Sequence, residues 1–436
     1  MNIIVRNEIA DLTALEARKQ MDEGVLTASR LLDACLERID MREPAVQAWE
    51  HIDREGAKRR ARELDTGPPQ GLLHGLPFGV KDIIDTHDQP SAYGSPIYKD
   101  HQPRWDGAAA ALPRAQGGIL LGKTVTTEFA NRHAGKTHNP HNPEHTPGGS
   151  SSGSAAAVAD FHVPLAIGTQ TGGSVIRPSS YCGVYGYKPS FQLLGNAGVR
   201  TNTEQFDTVG IMARSVGDLA LFKAALSETP YKVPNPDAVT QPRIGFCRTP
   251  QWDEAQPEMR AALDETRQAL EKAGADVFDF DLPDFFDGLN DAHRLVCGFE
   301  SVRNYSDELR RWPELVSSDF MRERVDVGRT STLKDFRGAL RLGIRARTWM
   351  DKTFVERRID AILTPSAPGE APRGLRSTGT AILNFIWTHL HVPAVTLPHF
   401  TGPNGLPVGV QLVGRRYDDD CHLAVVAWAD RVLATR

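Results

Sequence analysis

The chain has 436 residues, 40% of them apolar and 24% charged, with a formal net charge of −5. Such a composition is that of an ordinary globular protein with a large buried core, and its charge favours neither nucleic acid nor an anionic membrane surface as a partner. The five cysteines (Cys35, Cys182, Cys247, Cys297, Cys421) are odd in number and widely spaced without a C-x-x-C, which argues against a disulfide scaffold or a structural zinc site.

The opening MNIIVRNEIADLT holds three consecutive apolar residues before Arg6, too few for the core of a signal peptide. No apolar run reaches the roughly 18 residues that cross a bilayer, so a cytoplasmic protein is expected. Residues 11–40 read as two helices interrupted at Gly24, the second capped by Thr27 and carrying Leu31, Leu32, Cys35, Leu36 and Ile39. An apolar run at 72–84, broken by Gly and Pro, carries one lysine, Lys81, near its centre. Residues 107–122 read as a helix leading into the strand ILLGK; strand 243–247 precedes a helix and strand over 257–281. Residues 285–350 are charged, helical in pattern and poor in glycine, and 359–365 and 408–414 are strand-like. The alternation predicts an α/β architecture around a largely buried sheet. By length alone the chain permits two or three domains, although α/β enzymes often run longer as one unit.

Two Gly/Ser segments stand out, at 147–159 and 168–183. In Gly172-Gly173-Ser174, consecutive glycines let N–H groups converge beside a hydroxyl, as acyl transfer requires; the same tripeptide also fits a flexible turn. PGGSSSGS at 147–154 has the composition of a linker, yet it runs directly into the helix-forming AAAVA. It contains a formal G-x-S-x-G with Ser151 at its centre, but the strand that a nucleophile elbow needs is replaced by the polar, proline-broken HNPHNPEHTP. Lys81, flanked by Phe78, Val80, Ile83 and Ile84, is either a desolvated amine of lowered pKa or a lysine on a solvent-facing edge.

Taken in order, GLPFGVKD (75–82), GILLGKT (118–124), GGSSSGSAAAVA (148–159), GTQTGGS (168–174) and CGVYGYKPS (182–190) resemble the amidase signature family. The resemblance extends from the N-terminal helices to GLPVGVQLVG at 405–414. It implies a single domain over 1–436: N-terminal helices to about 70, a signature core over about 71–225, a variable helical insertion at about 285–350, and C-terminal strands completing the sheet. The implied fold is a large mixed central β-sheet flanked by helices on both faces. By position, Lys81 matches the family lysine, Ser150 the bridging serine held through a cis peptide, and Ser174 the nucleophile. The backbone N–H groups of Thr171, Gly172, Gly173 and Ser174 match the oxyanion hole, and Thr126, Gly149 and Trp387, with His391 nearby, match substrate-pocket positions. Two departures are visible around the nucleophile. Gln170 stands where Asp is common, and Ile176 takes the usual place of the arginine, which follows as Arg177. Elsewhere, Val125-Thr126 replaces a frequent Asn-Met.

The resemblance implies a hydrolase of linear, non-peptide amides that acts on a small molecule through an acyl-enzyme. No cofactor, metal, nucleic acid or membrane is implied, and a homodimer is compatible with it. A carbamate (urethane) or ureide hydrolase with the same triad is the near alternative. An amidotransferase component passing ammonia to an acylated tRNA within a complex is a more distant one. A non-catalytic role is disfavoured because Lys81, Ser150 and Ser174 are all present. His133, His138, His141 and His145 crowd one polar loop without a clean ligand spacing and read as loop packing. The acidic runs at 276–287 and 418–420 lack an EF-hand pattern, and Cys182 reads as a buried structural thiol.

Overall fold

The computed structural model describes residues 8–435, so the apolar opening at 3–5 lies outside the described residues. Eleven strands join in one sheet: β1 (Trp49–Ile52), β2 (Pro77–Lys81), β3 (Ile119–Thr124), β4 (Leu165–Gln170), β5 (Tyr185–Lys188), β6 (Thr208–Ala213), β7 (Arg243–Phe246), β8 (Asp276–Asp279), β9 (Ala361–Pro365), β10 (Ala394–Thr401) and β11 (Pro407–Val413). Their order is β1-β3-β2-β4-β6-β5-β10-β11-β9-β7-β8. The sheet is mixed. β2 runs parallel to β3 and β4, β7 parallel to β8 and β9, and the central strands from β6 to β11 pair antiparallel.

Strand parity explains why both faces are covered, since successive side chains point to opposite sides. In β4, Leu165 and Ile167 enter one apolar cluster with Leu219, Phe222 and Val426, while Ala166 enters another with Leu32 and Ala155. Helices Val216–Ser227 and Asp419–Ala434 thus supply one layer, and Ala28–Val46 and Ser152–Ala159 the other.

The two N-terminal helices form at Ala14–Asp22 and Ala28–Val46, the second with Thr27 Oγ1 accepting from Arg30 N at 3.2 Å. It runs past the expected end, through Pro44, to a left-handed Gln47. The strand expected at the end of 257–281, ADVFDFD, contracts to β8, a half-exposed edge strand whose acidic side chains stay solvated. The 285–350 segment is helical, chiefly as Leu289–Asn304 and Leu333–Glu356. Strands β1, β4, β5, β6 and β10 were not apparent in the sequence; β1 and β5 are four residues each, too short to display a period.

Candidate active site

Parallel strands β2 and β4 end side by side, bringing Lys81 and Thr169 together at their carboxyl ends, where α/β sheets commonly carry their sites. Lys81 is fully buried, with Nζ 2.7 Å from Ser150 Oγ and 2.8 Å from Thr169 Oγ1. Burial dominates its protonation and lowers the pKa to about 7, while the carboxylate of Asp207 acts in the opposite direction. The amine is therefore partly neutral near pH 7 and able to take a proton.

Ser150 follows a cis Gly149–Ser150 peptide bond. Arg177, buried in the first turn of helix Ile176–Cys182, donates from Nη2 to the Gly149 carbonyl at 2.6 Å and to Thr378 Oγ1 at 3.1 Å. Its Nη1 donates to the Gly379 carbonyl at 2.9 Å. The arginine shifted by one position thus anchors the loop that carries Ser150. Ser151 N donates to the Ser174 carbonyl at 3.3 Å, tying the two serine loops together. Ser174 is 8% exposed, and among the described residues no hydrogen bond reaches its hydroxyl.

The turn leaving β4 runs through Thr171, Gly172 and Gly173. Among the described residues, no protein acceptor takes the backbone N–H of Gly172, Gly173 or Ser174. The turn is closely packed: a Cβ at Gly172 would lie 2.7 Å from the Phe385 ring and force a shift, and one at Gly173 would lie 3.0 Å from Asn384 Cβ, a tight contact. Thr171 Oγ1 donates to Asp207 at 2.6 Å, and that carboxylate also accepts from Asn202 N and Thr203 N at 2.7 and 2.9 Å. Gln170 Oε1 accepts from Val175 N and Ile176 N at 2.9 and 3.1 Å, capping the helix that follows the turn.

Ser174 follows a turn with unpaired N–H groups, and a second serine is bonded to a buried lysine, an arrangement whose groups suit acyl transfer. The amidase family model matches residues 30–423. The chain belongs to the amidase signature family. Among its relatives, a glutamyl-tRNA(Gln) amidotransferase subunit of Roseiflexus castenholzii is 30% identical over 95% of this chain and 94% of that protein. A crystal structure of an amidase superposes with a TM-score of 0.88 at 28% identity, covering 96% of this chain and 99% of that one. A peptide amidase in complex with the competitive inhibitor chymostatin gives 0.83 at 25% identity, covering 98% of both chains. Enzymes of the amidase signature family are C–N hydrolases or amidotransferases, and this chain is one of them.

The remaining sequence candidates separate clearly. Ser151 Oγ donates to the Thr169 carbonyl at 3.2 Å from a fully buried position, which removes the nucleophile-elbow reading. Trp387, expected among the pocket positions, is 1% exposed and belongs to an apolar cluster with Ile176, Phe280, Met350 and Val413. Thr126 is buried, donates to the Thr127 carbonyl at 3.2 Å and precedes the residue whose N–H holds the Ser150 carbonyl. His391 stacks on Phe191 at 4.1 Å and contacts the Gln205 carbonyl at 2.9 Å.

His133, His138, His141 and His145 each engage a different partner: Asp319, and the carbonyls of Pro143, Cys182 and Ala371. Burial pushes the Cys182 thiol up, so it stays protonated. A surface cleft of about 700 Å³ opens beyond Arg177, beside Tyr181, Glu258, Glu370 and Gly379, but Lys81, Ser150 and Ser174 do not line it. Thr169, Asp207 and Thr388 are the site residues that sequence reasoning missed. Thr169 lies inside the motif GTQTGGS, whereas the other two carry no local signal.

Proposed function

We propose that the protein hydrolyses the C–N bond of a small-molecule linear amide through an acyl-enzyme on Ser174. The observation that carries the reading is the fully buried Lys81 amine, lowered to about 7, at 2.7 Å from Ser150 Oγ. Neutral Lys81 takes the Ser150 proton as Ser150 takes that of Ser174, and Ser174 Oγ bonds to the carbonyl carbon. The N–H groups of Gly172, Gly173 and Ser174, with that of Thr171, stabilise the oxyanion. Ser150 then protonates the amine nitrogen, regaining its own proton from Lys81, and the C–N bond breaks. Water enters by the same relay, its hydroxyl goes to the acyl carbon, and the acid leaves with Ser174 reprotonated.

Gly149 remains the pocket residue we favour, since its carbonyl is fixed by Arg177 directly before Ser150. Thr126 is proposed as a neighbour of that pocket. Helix Leu289–Asn304, within the helical insertion, supplies His293, stacked between Phe206 at 4.4 Å and Phe385 at 4.6 Å beside the Gly172 turn. A carbamate or ureide would use the same three residues.

The test is a panel of anilides, aliphatic amides and aryl carbamates, with a serine-directed phosphonate mapped by mass spectrometry. Label on Ser174 and no turnover by Ser174→Ala are expected; wild-type rates in that variant would refute the nucleophile. The similarity to amidotransferase subunits favours a second reading, transfer of ammonia within a complex. A purified single species that turns over the panel decides for the stand-alone hydrolase. Activity only with added partner proteins and acylated tRNA decides against it.

A further inference from the structure

Gln170 and Thr388 form a directional hydrogen-bond chain that ends on the turn preceding Ser174. Gln170 Oε1 faces Val175 N and Ile176 N, which can only donate. Its Nε2 must then be the atom that faces Thr388, and it donates to Thr388 Oγ1 at 3.0 Å. Thr388 therefore accepts from Gln170, and its one proton goes to the Gly172 carbonyl at 2.6 Å.

In a trans peptide the C=O and N–H point in opposite directions. Holding the Gly172 carbonyl toward helix Ile382–His389 aims the Gly173 N–H away from that helix. Phe385 and Asn384 of the same helix stand where a Cβ on Gly172 or Gly173 would fall, so the packing of that helix and the hydrogen bond meet at one peptide. An acidic side chain at 170 would cap Val175 and Ile176 equally well. Having no proton to give, it would draw the Thr388 hydroxyl toward itself and release the Gly172 carbonyl.

We propose that Gln170 and Thr388 are positioning residues that fix the Gly172–Gly173 peptide and so aim the donors of the oxyanion hole. The inference rests on Ser174 being the nucleophile. Thr388→Val removes the hydroxyl at nearly constant volume, Gln170→Glu reverses the polarity of the chain, and Thr388→Ser retains the relay.

The experiment measures kcat and KM on acetyl para-nitroanilide, with kcat taken per phosphonate-labelled Ser174. Removing one oxyanion donor outright costs about 100-fold or more in kcat, so a misaimed donor is expected to cost about 10- to 100-fold. Thr388→Val and Gln170→Glu should both fall in that range with KM changed less than about threefold, and Thr388→Ser should restore kcat to within about threefold of wild type. A merely structural role would lower the labelled fraction and leave kcat per labelled site unchanged, which would overturn the proposal. Should Thr388→Val not fold, Gln170→Glu against Thr388→Ser decides. Wild-type kcat in Thr388→Val or Gln170→Glu, with Ser174→Ala inactive, sinks the relay alone; an active Ser174→Ala sinks the nucleophile assignment.

Discussion

A lysine ammonium needs solvent or a nearby carboxylate to keep its charge, and Lys81 is fully buried with only the opposing pull of Asp207. Its neighbours within hydrogen-bonding distance are hydroxyls and one carbonyl, groups equally suited to a neutral amine. The acid limb of kcat/KM is therefore expected near pH 7, with activity rising as pH rises, and Lys81→Met is expected to lose that limb along with most turnover.

The stability linkage has the same sign. The folded pKa, about 7, lies below the ordinary lysine value of 10.5, so between these pH values the unfolded chain binds the extra proton. The folded state gains on raising the pH through that window, by at most about 1.4 kcal/mol per unit from this one group. Urea unfolding at pH 7 and pH 9 should show a steeper pH gain for wild type than for Lys81→Met; equal gains would mean the amine is charged in the folded protein.

At the scale of elements, the segment with a linker's composition ends as the first turn of a helix, Ser152–Ala159, docked on the sheet. Three of its serines bond to backbone: Ser151 to the Thr169 carbonyl at 3.2 Å, Ser152 to the Gly148 carbonyl at 2.8 Å and Ser154 to the Ile167 carbonyl at 3.0 Å. Small residues let the helix come this close. A Cβ on Gly168 would lie 2.6 Å from Ser151 Oγ and 2.9 Å from its Cβ, so Gly168→Ala forces Ser151 to shift and is expected to displace the start of the 152–159 helix from β4. Overpacking of this kind typically costs about 1–3 kcal/mol, which urea denaturation would measure. Because Ser150 directly precedes the displaced turn, kcat should fall as well.

Arg177 acts between elements in the same way, joining the helix after Ser174 to the loop before Ser150. Arg177→Met leaves the Gly149 carbonyl without this donor and is expected to lower kcat at least about tenfold, since charged hydrogen bonds of this kind are worth about 1.5–3 kcal/mol. Arg177→Met with wild-type kcat would reduce the residue to a packing role.

Across the whole molecule, one continuous sheet joins the segment that carries the site to the C-terminal strands through the β5–β10 seam, where Ala394 faces Lys188 and Val395 faces Tyr187. Lys188 is buried, and burial lowers its pKa to about 7, with Asp419 opposing. Its amine donates to the carbonyls of Val392 and Pro189 at 2.5 and 2.9 Å. Lys188→Met leaves both carbonyls unpaired at the seam and is expected to cost about 2 kcal/mol in urea unfolding, an unmet buried polar group being worth about 1–3. No loss would mean that the strand pairing alone holds the seam.

Whatever depends on neighbours a few residues away was legible in the chain before it folds. Thr27 as a cap, the helix–strand alternation, the Gly-Gly-Ser turn and the apolar surroundings of Lys81 all follow from local sterics and patterning. The ordered motifs carried the three candidate residues and the family. Folding was needed to show that Arg177 reaches Gly149, that Asp207 accepts from Thr171, that Thr388 grips Gly172, and that Trp387 belongs to the core. The three hydrogen-bonded pairs stand 28, 36 and 216 positions apart along the chain. A hydrogen bond across such a span depends on which strands lie side by side, and strand order is fixed by burial of the entire sheet, which no short window of sequence encodes.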